Sequence, residues 1–360
     1  MSATVPPPAP VSASATVSAA ELQRRNVALA EALWAAGISM RVGDDPAYVC
    51  SSVVLGAGSF GAVTAAHRYD GSGAPQPVAL KRVSLRRETR FSAWLRRVKL
   101  VGREVALCNR AARSPWVVPM YHPWFDCATG AVVLPQAAGD VSLQRYAVDR
   151  GFRFPPRELV SLCLQCTHAV VGVHRCGVVH RDVKPDNFVV NFARNGAADA
   201  GVCGGAPPPL VRMVDFGLAC AVEDPVEELA RCVGTPLYTA PEVFPHLCDC
   251  RVPTARDVWS LGVALFHLAT GGFPMFVVVD GVLQGAPRMP TRTPCGEPLS
   301  AESVAVLSVV ASVLVPDPLL RPTAESVLRQ LRCVAATLRR QSRGAARPRC
   351  LRPARCDTPR

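Results

Sequence analysis

The chain has 360 residues, 49% of them apolar and 19% charged, with 40 Lys and Arg against 28 Asp and Glu. That length and apolar content exclude a disordered or fibrous protein and allow one large domain or two lobes around a substantial core. The net charge of +12 is uneven: residues 339–360 hold eight Arg and one Asp, so the body is only mildly basic and nucleic-acid binding by the whole chain is disfavoured.

Fifteen Cys, an odd number without a repeating frame, read as reduced thiols of an intracellular protein of cytoplasm or nucleus, and no basic n-region precedes the Pro/Ala/Ser/Val-rich start. Cys163-Leu164-Gln165-Cys166 and Cys248-Asp249-Cys250 lack His at ligand spacing and read as inert thiols rather than a metal site. Residues 258–279 carry no charge and are long enough to span a bilayer, but Gly271-Gly272-Phe273-Pro274 breaks the run. A buried core helix followed by a turn is expected, with no membrane contact.

Residues 1–47 form an N-terminal extension. Its first 17 residues are low in complexity and expected to be disordered. Ser18-Ala19-Ala20-Glu21 is a capping box, and Leu22, Leu29, Leu33 and Trp34 follow at helical spacing, so a short helix docked on the main domain is expected. From Tyr48 a β-like run enters Leu55-Gly56-Ala57-Gly58-Ser59-Phe60-Gly61-Ala62-Val63. The glycines let backbone N–H groups approach phosphate oxygens with no Cβ in the way. A dinucleotide-binding turn shares this spacing, but here the chain returns into β-like sequence, Ala62–Ala66, and not into a helix. A strand–loop–strand lid over phosphates fits better.

Val78-Ala79-Leu80-Lys81 reads as a further strand that carries a cation. Much later, His180-Arg181-Asp182-Val183-Lys184-Pro185-Asp186-Asn187 places a carboxylate, an amine and a carboxamide within six positions after an apolar run. Those groups suit holding a hydroxyl, a transferring phosphoryl group and a metal ion close together. Asp215-Phe216-Gly217 and Ala240-Pro241-Glu242 follow.

These five motifs, in this order, resemble those of eukaryotic-type serine/threonine protein kinases, from about Tyr48 to about Leu338. The resemblance implies an α+β, two-lobed protein kinase fold: a small antiparallel β-sheet lobe with one main helix over 48–137, and a larger, mainly helical lobe over 138–338. It implies phosphoryl transfer from Mg-ATP to protein Ser or Thr hydroxyls. Asp182 would orient the acceptor hydroxyl or take its proton, Lys184 would neutralise the phosphoryl, and Asn187 and Asp215 would hold Mg2+. Thr235 matches the threonine that contacts the catalytic Asp and Lys, and Lys184 with Thr235 implies Ser/Thr acceptors. ATP would sit against Leu55 to Val63, Ala79, Lys81, Glu104, Leu134, Ala137 and Val189. Glu104 is chosen to hold Lys81 because Glu88 is only seven residues past the lysine. Val117–Tyr121 and Ala131–Leu134 read as the last two strands of the small lobe. By position Leu134 is the gatekeeper, with the Pro135 carbonyl and the Ala137 N–H facing adenine. Glu242 is expected to pair with Arg321, and Asp257 to brace the catalytic loop.

Residues 193–209, rich in Gly, Ala and Pro, read as a flexible insertion. Leu218–Val233 contains no Ser, Thr or Tyr, but it carries Glu223, Asp224, Glu227 and Glu228. One of these carboxylates is expected to pair with Arg181 in place of a phosphate, leaving the enzyme competent without activation-loop phosphorylation. Arg82, Arg86, Arg87, Arg90, Arg96, Arg97, Lys99 and Arg103 read as a solvated face, with a docking surface for an acidic partner as the sharper alternative. Asp186 gives a weak lean toward substrates with basic motifs, and His267 stands where strongly basophilic relatives carry Glu. The Arg-rich residues 339–360 read as a disordered tail, either solvated or in contact with an acidic partner or nucleic acid.

Overall fold

Ser18 opens α1 (Ala19–Ala35): its Oγ accepts from the Glu21 N–H at 3.2 Å, satisfying a donor that the first turn otherwise leaves free. In the computed structural model, which describes residues 18–58, 61–71, 73–85, 90–155, 157–192, 208–244, 250–276, 278, 279, 282, 283, 285 and 287–345, this helix lies on α2 (Phe91–Ala111). Leu29 and Leu33 join Trp94, Val98 and Val101 of α2 in one apolar cluster. Trp34, on the other side of α1, is 88% exposed.

The small lobe is a six-stranded sheet made of β1 (Ser39–Arg41), β2 (Tyr48–Gly58), β3 (Gly61–Arg68), β4 (Gln76–Ser84), β5 (Trp124–Asp126) and β6 (Ala131–Ala137), in the order β1-β5-β6-β4-β3-β2. All neighbours are antiparallel except β1, which pairs parallel with β5 (Ser39 opposite Trp124). The glycines at the end of β2 and the start of β3 stand in register, Gly58 opposite Gly61. Gly61 has φ +148°, and a Cβ there would lie 2.0 Å from the Arg82 carbonyl oxygen, so only glycine fits.

The expectation of a strand over Val117–Tyr121 is corrected. Pro119 and Pro123 have no N–H to give to a ladder. The segment makes only single bridges, Val117 to Met213 and Met120 to Gln136, and the strand comes later, at β5.

The large lobe follows with β7 (Val141–Ser142), α3 (Leu143–Asp149), α4 (Glu158–Arg175), β8 (Val178–Val179), β9 (Phe188–Asn191), β10 (Leu210–Met213), β11 (Cys220–Ala221), α5 (Val226–Leu229), α6 (Ala255–Thr270), β12 (Val278–Val279), β13 (Val282–Leu283), α7 (Ala301–Val313) and α8 (Ala324–Ala345). All sixteen residues of α6 are buried, which accounts for its uncharged run; α4 and α7 pack on it and on each other, and α8 packs on α4 and α7. No helix among the described residues is long and apolar enough to cross a membrane. Cys163 and Cys166 are buried in α4, where burial pushes the Cys163 thiol up to about 12. Among the described residues no group of three or more His, Cys, Asp or Glu is placed to hold a metal ion. The basic segment expected to begin the tail at residue 339 starts inside α8, which runs to Ala345. Residues 1–17, Ser59, Phe60, Arg86, Arg87, Glu88, 193–207, Cys248 and 346–360 lie outside the described residues.

Arg321 and Glu242 form a two-point ion pair, NH1 to Oε1 at 2.6 Å and NH2 to Oε2 at 3.0 Å, with the Arg321 side chain 0% exposed. Removing one partner strands the other charge in the core. Glu242→Ala is therefore expected to destabilise the protein by about 3–5 kcal/mol in urea titration, and Glu242→Gln by less. In the small lobe, Leu33→Ala should cost about 2–5 kcal/mol by the same measurement, while Trp34→Ala leaves the midpoint unchanged.

Candidate active site

Between the lobes lies a cleft of about 750 Å³. Its roof is Leu55, Gly56, Gly61, Val63 and Ala79 of β2 to β4, and its floor includes Val189, Asn187 and Asp215. Ala137, at the end of β6, lines the connection between the lobes. Ala57 and Gly58 end β2 and Ala62 follows Gly61 at the start of β3, with Ala57 opposite Ala62. Leu134 and Pro135, expected near adenine, are not among the residues that line the cleft, whereas Gln136 is. Leu134 is 1% exposed and packs into the small-lobe core with Leu33 and Val105. The Pro135 carbonyl accepts from the Tyr121 N–H at 2.8 Å, which occupies one of its lone pairs within the small lobe.

At the inner wall, Lys81 Nζ lies 2.6 Å from Glu104 Oε1 and 2.8 Å from Asp215 Oδ1. Desolvation lowers the affinity of the Lys81 amine for its proton, but the two carboxylates outweigh it and keep the lysine charged. Burial pushes the Glu104 carboxyl up, with Lys81 opposing. Asp215 is held below the usual carboxylate range: burial would raise it, and Lys81 more than compensates. The Asp215 backbone is left-handed, at φ +64°. Phe216 is buried edge-on against the His180 ring, 5.0 Å between centroids.

The catalytic loop hangs from Asp257 of α6. One Asp257 oxygen accepts from the His180 N–H at 2.7 Å and the other from the Arg181 N–H at 2.8 Å, while His174 Nε2 lies 3.0 Å away. The loop presents Asp182, whose Oδ1 accepts from the Thr235 N–H at 2.9 Å and from Thr235 Oγ1 at 2.7 Å. Its Oδ2 accepts from Asn187 Nδ2 at 2.8 Å and lies 2.8 Å from Lys184 Nζ. Lys184 Nζ also donates to Thr235 Oγ1 at 2.6 Å. Burial pushes the Asp182 carboxyl up, but the hydrogen bonds from Lys184 and Thr235 hold it below the usual range. Asp182, Lys184, Asn187 and Thr235 thus form one connected group.

The acidic stretch after Gly217 closes onto arginines. Glu228 Oε1 lies 2.7 Å from Arg181 NH2, and the Arg181 guanidinium also donates to the Leu218 and Glu228 carbonyls. Asp224 pairs with Arg103 and Glu223 with Arg110, both from α2, and Glu227 is exposed. Arg256 donates to the carbonyls of Leu229, Arg231 and Val233. The expected solvated arginine face is therefore corrected in part: Arg82 pairs with Asp44, Arg97 donates to the Ser84 carbonyl, and Arg103 holds Asp224. The i, i+7 spacing of Arg103 and Arg110, which puts both on one side of α2, was the available signal.

A family model for the protein kinase domain matches residues 50–331. The chain is 30% identical over 171 residues to serine/threonine-protein kinase 17A of Oryctolagus cuniculus, covering 48% of this chain and 39% of that protein. It is 32% identical over 233 residues to calcium-dependent protein kinase 24 of Oryza sativa subsp. japonica, covering 63% and 41%. It is 28% identical over 222 residues to CDPK-related kinase 3 of Arabidopsis thaliana, covering 62% and 34%. The chain thus spans well under half the length of these curated relatives. With its lobes, cleft and motif order, the chain belongs to the protein kinase family.

Proposed function

We propose that the chain is a protein serine/threonine kinase, which transfers the γ-phosphoryl group of Mg-ATP to Ser or Thr hydroxyls of proteins. One observation carries this reading: Asp182, held by Thr235, Asn187 and Lys184, stands beside a glycine-lidded cleft whose inner wall is the Lys81–Glu104–Asp215 cluster. Lys81 and Lys184 supply positive charge where triphosphate oxygens would lie. Asp215 and Asn187 both line the cleft with hard oxygen donors, a set that suits Mg2+. A bound Mg2+ would draw off phosphate charge. The chain itself orients the acceptor hydroxyl at Asp182 and holds Lys184 toward the phosphoryl. Thr235 ties these two together, and that link supports Ser/Thr acceptors.

Protein substrates with a basic residue near the acceptor would meet exposed Asp186. His267 adds no negative charge: it is buried between Phe152 and Phe273, with Nδ1 3.1 Å from the Gly272 carbonyl oxygen. The preference for basic motifs is accordingly weak. Glu228 takes the place of a phosphate on Arg181, so the kinase turns over without modification of its activation segment. The Arg-rich residues from 339 contact an acidic partner or nucleic acid, in cytoplasm or nucleus.

With radiolabelled ATP and a generic basic protein, wild type is expected to incorporate label while Asp182→Asn and Lys81→Met fall by about a hundred-fold or more. Equal signal from all three would remove the enzymatic reading. On protein free of phosphate, Glu228→Gln should lower turnover by about ten-fold and Glu227→Gln should leave it unchanged. Identical rates for the two variants would sink the built-in acidic switch.

A further inference from the structure

Helix α8 separates its side chains by face. At about 100° per residue, Val327, Leu328, Leu331 and Leu338 fall on one side and join the large-lobe core, where the helix meets α4 and α7. Arg329, Arg332, Arg339 and Arg340 fall on the opposite side, within an arc of about 100°, and all four are exposed. The helix carries one acid, Glu325, in its first turn, and that acid lies 3.4 Å from Arg175 of α4. Arg332 NH2 donates to His168 Nε2 at 3.3 Å, and Arg339 Nε to the Ala335 carbonyl at 3.2 Å. Among the described residues, no carboxylate pairs with any of the four arginines.

Four like charges on a rigid rod repel one another, so a partner that fits must bring fixed negative charge along a line. From Arg329 to Arg340 the helix rises about 17 Å, a length of duplex that carries about ten phosphates. Guanidinium forks match phosphate oxygens two at a time. Single-stranded nucleic acid calls for stacking platforms, and α8 has no aromatic residue. A membrane surface calls for large apolar side chains facing outward, and those of α8 are turned into the core.

We propose that the exposed face of α8 binds the phosphate backbone of double-stranded nucleic acid without reading its sequence. This deepens the reading of the basic tail by moving the contact onto the folded domain. No residue of α8 lines the cleft, so binding is separate from phosphoryl transfer.

The test is fluorescence anisotropy of a labelled 25-base-pair DNA of random sequence with the full chain, between 50 and 200 mM KCl. Changing Arg329, Arg332, Arg339 and Arg340 together to Gln is expected to make the plot of log affinity against log salt shallower by about 3–4, and to weaken binding at 50 mM by at least about ten-fold. Peptide phosphorylation and the thermal midpoint stay at wild-type values, which shows the variant is folded. Asp182→Asn binds DNA as wild type does, so loss of the catalytic reading would leave this one standing. The same difference in slope is expected in chains that end at Ala345. Equal slopes for wild type and the quadruple variant would overturn the proposal. So would binding that disappears on truncation after Ala345, or vesicles of anionic lipid that bind as tightly and with the same dependence on the four arginines.

Discussion

The catalytic loop depends on one buried carboxylate. Asp257 is 0% exposed, and an uncompensated charge at such a depth would be very costly. Two backbone N–H groups and the His174 ring satisfy it, and the His174 hydrogen bond with those N–H groups outweighs the upward push of burial, so Asp257 stays ionised. The N–H groups come from His180 and Arg181, which fixes the path of the chain just before Asp182. That path includes a left-handed residue, Arg181 at φ +67°. A conformation of this kind costs about 1–3 kcal/mol and persists only where the surroundings over-determine it. Here Asp257 holds the Arg181 backbone, while Glu228 and the Leu218 carbonyl hold its side chain.

The same arginine joins the loop to the activation segment, and α2 joins the segment to the cleft. Arg103 is adjacent to Glu104, and its partner Asp224 lies four residues before Glu228, the partner of Arg181. Glu104, Arg103 and Arg110 all belong to α2, so the one helix holds both the Lys81 contact and the acids of the segment. The pairs at Arg103, Arg110 and Arg181 are partly exposed on at least one side, so each alone is modest. Acting on one rigid helix and one segment, they are broken together. The lysine–glutamate contact and the placement of the segment thus share one support, α2.

Much of this was legible in the residues. The glycine turn was separable from a dinucleotide fold because β-like sequence follows it, and the hairpin of β2 and β3 is what forms. Glu104 was distinguishable from Glu88 by distance along the chain, because seven residues after Lys81 leave too little chain for a loop and a helical turn. The strand β5 was not legible. Val117–Tyr121 has the stronger β-branched pattern, but its proline breaks the ladder, and a three-residue strand has too few positions to show alternation. The parallel pairing of β1 was hidden for the same reason. The Leu134 position could be counted from the motif, but the apolar cluster it joins includes Leu29 and Leu33 of an extension outside the motif set. Ion pairs such as Arg110–Glu223 join residues more than a hundred positions apart, and such pairs leave no local periodicity to read.

The hydrogen bonds on Asp182 also bear on what kind of base it can be. Thr235, Asn187 and Lys184 together use both of its oxygens and keep its carboxyl below the usual range. A carboxylate so stabilised is a weak base, poorly suited to removing a proton from a serine hydroxyl before the new bond forms. In a loose phosphoryl transfer the hydroxyl becomes acidic only late, as bonding to phosphorus develops. Early on, then, the service that matters is direction: a fixed acceptor that points the oxygen lone pair at the phosphoryl. The rigidity of the loop and the low basicity of Asp182 have the same cause, the donors that surround it. In the proposed reaction that makes Asp182 an orienting group first and a proton acceptor last.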